Sequence, residues 1–534
     1  MQREKEMWQT PQTLQQLLCK VVSWESRTGT QGEIDFSYKI KEELMKLTYF
    51  KHQPDYIQFV DAGKQRNTVT ALYKHPQATR TIVLISHFDT VHTAEFGDLG
   101  DLAFQPESLT AAFKENDVAL PQDAKIDLYT DEYLFGRGTM DMKMGLCLHM
   151  QLLEKASLHN WPINLLLVTV PDEEVNSAGM RAAATALNQL RDQWQLHYDL
   201  FLNSEPSFSQ VPQDDNYYIY SGTIGKIMPA ALFYGRETHA GEPLNGLTGH
   251  YMASYLTKAM EFNACFEESA FGEKTPRPIC LQQKDLKVDY SAQTSHHSAA
   301  LYNVFLFEQN AAQVMATFKE IATEAMAACQ RDYENICKAT NVTPIGTIRV
   351  MTYDALLQYA NETLGEKKVQ MIKNTGLNNT NDERDQAIQI CDQLLLHCSE
   401  LAPATILFFA PPYYPAVNSS ENTFIQEKIA LAKATLADTY KVTAKQIHYF
   451  NGICDLSYVN YDANDQGWHV YQQNTPVWGE SYDIPFTDMQ QLQAPVLNIG
   501  PFGKDAHKIS ERLHKKSAFI YTPHVLETVI KSMF

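Results

Sequence analysis

The sequence predicts an α/β fold with a mostly parallel central sheet, interrupted by an inserted α+β domain. Short apolar runs rich in Val, Ile and Leu alternate with helical stretches early in the chain, which is typical of buried parallel strands. The middle of the chain changes to a strand, helix, strand, helix, strand order that suits a small separate unit. We therefore expect a catalytic domain built from 1–215 and 351–534, with the α+β insertion at 216–350.

Hydrophobic periodicity defines the individual elements in chain order. Apolar positions at helical spacing predict amphipathic helices, and short apolar runs predict buried strands. The predicted helices cover 11–24, 34–49, 142–156, 247–262 and 310–338, and helical patterning returns over 353–400. The predicted strands cover 81–86, 163–170, 198–203, 217–235, 299–309, 347–352 and 494–500. Residues 404–417 resume the α/β style of the first part of the chain.

The composition argues against several classes of protein. There are 63 Asp and Glu residues and 44 Lys and Arg residues, and the resulting formal charge of −19 disfavours nucleic-acid binding. The first ten residues lack the apolar segment of a signal peptide, and no apolar run approaches the ~20 residues of a membrane helix. The nine cysteines form no CxxC pair, so we expect reduced thiols in a cytoplasmic protein.

Polar residues that can bind metal follow four of the predicted strands. They are His87 and Asp89 after the first strand, Glu173 and Glu174 after the second, Glu205 after the third and His507 after the last. Because sites in open α/β sheets form beyond the carboxyl ends of the strands, we expect these side chains to converge on one edge. The sequence therefore predicts one site built from four strand ends.

Histidines and carboxylates without cysteine indicate a metal site with nitrogen and oxygen ligands. His87 and Asp89 are two residues apart, so on a strand both point the same way, and Asp89 can hold the second ring nitrogen of His87. Asp141 lies in a glycine-rich turn where the backbone can pass close to an ion. Of the adjacent Glu173 and Glu174, one carboxylate can bind metal while its neighbour serves as a general base.

An ordered set of motifs carries a specific resemblance. The motifs are SHFDTV at 86–91, GRGTMDMKMG at 136–145, PDEEVNSAG at 171–179, NSEPS at 203–207, GRETHAGEP at 235–243 and GKDAHKISER at 503–512. Together they resemble the M20 family of metallopeptidases, the group of carboxypeptidase G2, aminoacylase-1 and succinyl-diaminopimelate desuccinylase. Two further segments, NGICDLSY at 451–458 and LFFAPPYYPAV at 407–417, resemble its RocB-like, arginine-utilisation branch.

The resemblance implies a zinc-peptidase-like catalytic domain that binds two divalent metal ions, with zinc favoured and cobalt or manganese as alternatives. The implied ligands are Asp141 as the bridge, His87 and Glu205 for one ion, and Glu174 and His507 for the other. Glu173 is implied as the group that takes a proton from the attacking water and passes it to the leaving amine. Asp89 is implied to orient His87. A cis peptide bond is also implied between Asp141 and Met142.

Three further residues are less sharply defined. His239, in the fifth motif, matches the lid histidine that stabilises the tetrahedral oxyanion in the family, with a surface histidine as the alternative. In dimeric members this histidine reaches the partner's active site. For this chain the sequence is compatible with a monomer and with a homodimer formed through the inserted domain, which acts as the lid in the family. Asp455 lies where members place an acid near the site, and a structural role explains it equally well. Glu511 follows His507 by one helical turn, so we expect local capping or pairing.

These observations favour a metal-dependent hydrolase that cleaves an amide bond in a small substrate. The expected substrate is a dipeptide or an N-acyl amino acid, with a connection to arginine or ornithine metabolism implied by the narrower resemblance. One alternative is a non-hydrolytic amino-acid-binding or regulatory protein on the same scaffold. Such a protein would have lost ligand positions, and the presence here of all five positions and of the base disfavours it. Another is a dinuclear aminopeptidase of the M28 type, which the inserted domain and His239 argue against.

Overall fold

A computed structural model of the chain describes residues 6–116, 118–211, 214, 216–287 and 291–534. Its strands are β1 Ile57–Asp61, β2 Asn67–Tyr73, β3 Thr81–His87, β4 Tyr133–Phe135, β5 Asn164–Val170, β6 Tyr198–Asn203, β7 Tyr217–Tyr220, β8 Gly222–Thr223, β9 Gly225–Tyr234, β10 Ser269–Ala270, β11 Glu273–Lys274, β12 Ile279–Asp285, β13 His297–Leu306, β14 Arg349–Thr352, β15 Ala404–Tyr414, β16 Val417–Asn418, β17 Ala444–Ile447, β18 Val496–Asn498, β19 Gly503–Lys504 and β20 Arg512–His514.

Helices make up much of the remaining chain. They are α1 Pro11–Val22, α2 Gln31–Leu44, α3 Thr48–His52, α4 Pro106–Glu115, α5 Gln122–Tyr129, α6 Met144–His159, α7 Ala178–Trp194, α8 Gly249–Met260, α9 Ala311–Ala339, α10 Tyr353–Leu364, α11 Glu366–Asn378, α12 Glu383–His397, α13 Thr423–Thr435, α14 Trp468–Gln473, α15 Phe486–Met489 and α16 Thr522–Lys531. Among the described residues, no helix combines the length and apolar character needed to cross a membrane.

The chain divides into two compact units. The first contains the described residues up to Thr223 together with Val417–Ala463 and Pro485–Phe534. The second contains Ile224–Ala416 and Asn464–Ile484. The predicted fold class, an α/β unit with a mostly parallel central sheet and an α+β unit, is confirmed.

The first unit is built on an eight-stranded sheet in the order β1-β2-β5-β3-β6-β18-β7-β17. The central strands β5, β3, β6 and β18 run parallel to one another, while β1 and β2 form an antiparallel edge. Every residue of β3 and of β5 is buried, as expected for strands covered on both faces. Helix α6 is apolar on nearly all sides and lies in the core beside these strands.

The second unit has a five-stranded sheet in the order β12-β13-β9-β15-β14. Its boundaries differ from the predicted insertion at 216–350 and from the predicted second catalytic segment at 351–534. The cause is β15, which pairs antiparallel with β9, and β14, which pairs parallel with β15. Residues 404–417 therefore belong mainly to the second sheet, although their apolar sequence resembles the strands of the first.

Candidate metal centre

Four adjacent parallel strands of the first unit bring the predicted ligands to one edge of the sheet. His87 is the last residue of β3, and Glu205 follows β6 by two residues. The segment after β5 carries Glu173 and Glu174, and the loop between the short strands β19 and β20, beyond the end of β18, carries His507. Because these strands are neighbours and parallel, their carboxyl ends coincide, as the sequence predicted.

The first group of potential ligands is buried. The Nε2 atom of His87 lies 3.1 Å from Oδ1 of Asp141 and 3.5 Å from Oε1 of Glu205. One ligand atom from each of these three residues falls within a common distance of 4.8 Å. His87 and Glu205 have almost no exposed surface, whereas Asp141 is partly exposed.

The second group shares Asp141 with the first. The Nε2 atom of His507 lies 2.9 Å from Oδ2 of Asp141 and 3.1 Å from Oε2 of Glu174. Asp141 thus presents a different carboxylate oxygen to each histidine. His507 is exposed and adopts a left-handed backbone conformation with φ of 65°, which is uncommon outside glycine.

The electrostatics of these side chains reflect crowded carboxylates. Hydrogen bonds to Asp141 and Glu174 raise the pKa of His507 to about 11. Burial raises the pKa of Glu205 well above its usual value, and it also raises that of Glu174. Burial opposes ionisation of Asp141 as well, but hydrogen bonds from the two histidines hold its pKa below the usual range. Cations would therefore be favoured at this position.

Glu173 lies beside the first group without joining either group of ligands. Its Oε2 atom is 3.9 Å from Nε2 of His87, and its side chain is nearly buried. Burial raises the pKa of Glu173 well above its usual value, an environment typical of a carboxylate that exchanges protons.

The carboxylate of Asp89 holds the segment that carries the two glutamates. Its Oδ1 accepts the backbone N–H of Glu173 at 3.0 Å, and its Oδ2 accepts that of Glu174 at 3.3 Å. The hydroxyl of Thr28 donates to Oδ2 at 2.8 Å. Nδ1 of His87 is 3.5 Å from Oδ1 of Asp89 and only 3.1 Å from its backbone oxygen. Asp89 therefore contacts both His87 and the glutamate segment.

The remaining predicted residues have different environments. His239 is exposed in the second unit, where its Nδ1 accepts the Gly241 N–H at 3.0 Å. Asp455 is fully buried in the first unit, and its negative charge is one cause of the raised pKa of Glu173. The implied cis peptide after Asp141 is not found: in the described residues the cis bonds are Ala402–Pro403 and Pro411–Pro412.

Two contacts near the centre have no signal in the local sequence. Thr28 comes from the loop between α1 and α2. Arg66, the residue before β2, pairs with Asp172 just before the glutamates. Both residues lie more than fifty positions from their partners, so spacing along the chain could not reveal them.

The donor set fits two divalent ions. Two imidazoles and three carboxylates supply nitrogen and oxygen ligands of the kind that zinc, cobalt and manganese accept. Each group offers three protein ligands, and catalytic metal sites typically combine three protein ligands with a water molecule or the substrate. His87, Asp141 and Glu205 would hold one ion, and Asp141, Glu174 and His507 the other.

Comparison with known proteins identifies the family. The model of peptidase family M20/M25/M40 matches residues 83–532. Among curated proteins, the uncharacterised protein YqjN of Bacillus subtilis strain 168 is 35% identical over 533 residues, covering 98% of this chain and 97% of its own. Protein RocB of the same organism is 31% identical over 532 residues, covering 96% of this chain and 93% of its own.

Solved structures share the fold at low sequence identity. An M20 family metallo-carboxypeptidase from Sulfolobus solfataricus superposes with a TM-score of 0.57 at 11% identity, covering 98% of this chain and 99% of that one. A tripeptidase from Staphylococcus aureus gives a TM-score of 0.54 at 14% identity with the same coverage. The family model and the curated relatives together show that this chain is an enzyme of the hydrolase class and belongs to peptidase family M20/M25/M40.

Proposed function

We propose that the protein hydrolyses an amide or peptide bond in a dipeptide or another small amino-acid derivative, using two divalent metal ions. The observation that carries this proposal is Asp141, whose two oxygens face two different histidines, each with its own additional carboxylate. A carboxylate in that position can bridge two ions. Zinc is the first candidate, and cobalt and manganese suit the same ligands.

The metal ions and the side chain of Glu173 have different roles in the proposed hydrolysis. When bound, two divalent ions acidify the attacking water and polarise the scissile carbonyl. Glu173 takes one proton from that water as its oxygen adds to the carbonyl carbon. When the carbon–nitrogen bond breaks, Glu173 delivers the proton to the leaving amine, which leaves the carboxylate ready for the next cycle.

Two further roles complete the proposal. Asp89 fixes His87 on one side and the backbone of Glu173 and Glu174 on the other, so that ligand and base keep their separation. His239 is proposed to stabilise the oxyanion, within one chain or across a homodimer formed by the second unit. The resemblance to the arginine-utilisation branch makes arginine and ornithine derivatives the first substrates to test.

A substrate panel tests this function. The purified protein would be loaded with Zn²⁺, Co²⁺ or Mn²⁺ and incubated with dipeptides and N-acyl amino acids, including arginine and ornithine derivatives. We expect release of a free amine from at least one member of the panel, detected by mass spectrometry, and no release after chelation. Absence of hydrolysis across the panel with all three metals would support the binding-protein alternative.

A further inference from the structure

A buried ion pair joins the two segments that carry Asp141 and His507. Arg137 lies four residues before Asp141, and Glu511 lies four residues after His507. The Nη1 atom of Arg137 donates to Oε2 of Glu511, and each side chain is only 1% exposed. This contact spans 374 positions of the chain, so the local capping or pairing predicted for Glu511 is not its principal interaction.

Arg137 is itself held by several other contacts. Its Nη2 atom donates to Glu95, its Nε donates to the carbonyl of His92 at 3.3 Å, and its guanidinium lies 5.5 Å from the centre of the Phe96 ring. A planar fork that bonds two carboxylates with separate nitrogens has little freedom to move. Glu511 is therefore anchored to a rigid partner.

Backbone hydrogen bonds join the same two segments. Strand β20 begins directly after Glu511 and pairs antiparallel with β4, which ends directly before Gly136. The N–H of Gly136 donates to the carbonyl of Glu511 at 3.1 Å. The segment that carries Asp141 follows β4, and the segment that carries His507 precedes β20, so both are joined to the same pair of strands. Along each segment, the ion-pair residue lies between the paired strand and the ligand.

The two histidines depend on this support to different extents. The side chain of His87 is 1% exposed at the end of a buried strand, and its second ring nitrogen lies beside Asp89. The side chain of His507 is 49% exposed on a loop, and both Asp505 and His507 adopt left-handed backbone conformations. Packing therefore fixes His87, whereas His507 relies on the contacts that hold its loop.

We propose that Arg137 and Glu511 are positioning residues for the ion bound by Asp141, Glu174 and His507, and that they have little influence on the ion bound by His87. The inference depends on the dinuclear centre of the proposed function. Its physical basis is that the buried pair fixes the distance between the loop of His507 and the turn of Asp141. Residues outside the ligand shell commonly change metal affinity by about 10–100-fold when they are replaced.

Calorimetric titration of the metal-free protein with Zn²⁺ tests the inference without relying on activity. The wild type is expected to bind two ions. In Glu511→Gln, which preserves the side-chain volume, we expect one ion to bind about 10–100-fold more weakly while the other is unchanged. Arg137→Lys keeps the charge but loses the planar fork, so we expect a smaller effect in the same direction. Thermal unfolding of each metal-free variant would show that it is folded.

Lys155→Met provides a matched control, because Lys155 pairs with Glu527 in the same unit and neither residue is near a proposed ligand in sequence. This variant should bind both ions as the wild type does. Equal weakening of both ions in Glu511→Gln, or no weakening, would overturn the inference. A wild type that binds fewer than two ions would instead overturn the proposed dinuclear centre and this inference with it.

Double variants assign the affected ion. In a His507→Ala background, Glu511→Gln should cause no further loss, because the supported ligand is already missing. In a His87→Ala background, the same substitution should weaken the remaining ion by about 10–100-fold. Weakening in both backgrounds would show that Glu511 supports the centre generally, and weakening in the first background alone would assign it to the ion bound by His87. Either result would contradict the inference.

Discussion

Asp141 is the residue on which both proposed ions depend. Its Oδ1 lies near His87 and its Oδ2 near His507, so each oxygen belongs to a different group of ligands. The glycine-rich turn before α6 makes this approach possible, with Gly138 in a left-handed conformation at φ of 73°. A single side chain therefore couples two sites that are otherwise built from separate strand ends.

We expect Asp141→Ala to lose both ions, because the substitution removes one ligand from each group. Elemental analysis after dialysis against a metal buffer would measure the ratio of metal to protein. Replacement of Glu205 is a useful comparison, since it removes a ligand from only the first group and should spare the second ion. A ratio of two in Asp141→Ala would refute the bridging role.

Glu173→Gln is expected to bind both ions and to lose turnover. The amide retains the size of the carboxylate but cannot accept the proton from water, and general-base catalysis typically contributes about 10²–10⁴-fold. The value of kcat on any substrate found in the panel would measure the loss, with metal content determined on the same sample. Turnover close to that of the wild type would exclude Glu173 as the base.

At the scale of elements, close backbone contacts set the position of the ligand-bearing strand ends. Gly500, just after β18, approaches the segment that follows β6 so closely that a Cβ atom there would lie 2.0 Å from the backbone oxygen of Glu205. No side chain fits at that distance, so the two strand ends must separate if Gly500 is replaced. The position of Glu205 thus depends on a glycine that is not itself a ligand.

Gly500→Ala should therefore lower both stability and affinity for the first ion. Overpacking of this kind costs about 1–3 kcal/mol, and we expect a lower Tm together with weaker Zn²⁺ binding. Gly100→Ala is the matched control, because Gly100 belongs to the same unit and a Cβ there would meet nothing within 4 Å. Unchanged Tm and unchanged zinc binding in Gly500→Ala would contradict the close contact.

Elements were predictable where one face or both faces are apolar over their whole length. Strands β3, β5 and β6 and helices α1 and α9 lie close to their predicted ranges. The antiparallel strands β1 and β2 at the edge of the sheet were not predicted. Strand β1 is only partly buried, and β2, although almost fully buried, has threonines between its apolar residues, so neither gives a strong hydrophobic signal. Strand β15 was detected as apolar, but burial along its entire length suits either sheet, so its partner could not be inferred.

For the whole molecule, pH and metal binding are linked. Neighbouring carboxylates raise the pKa of His507 from 6.5 to about 11, so without metal its protonated form stabilises the fold below about pH 6.5. That contribution is lost as pH rises through the folded pKa. The raised pKa of Glu174 and that of Glu205 change stability with pH in the same direction, because these groups also hold protons that the unfolded chain would release.

Metal binding must displace these protons, so affinity should increase with pH. We expect the rise in Tm on adding Zn²⁺ to be larger at about pH 8 than at about pH 6, with proton release measurable by calorimetry in buffers of different ionisation enthalpy. An equal or larger rise at the lower pH would show that these groups are not the ones that bind the ions.

The sequence by itself determined which ligand-capable side chains meet and at which edge of the sheet they meet. Ligand-capable residues follow apolar strands, and parallel strands end at a common edge, so local patterns sufficed to bring His87, Glu173, Glu174, Glu205 and His507 together.

Only the tertiary structure decided how Asp141 divides its oxygens, how Asp89 holds the glutamate segment and how Arg137 meets Glu511. These contacts join segments from 54 to 374 positions apart. Their geometry follows from packing between elements, and the hydrophobic periodicity within a single element does not reveal how that element packs against others.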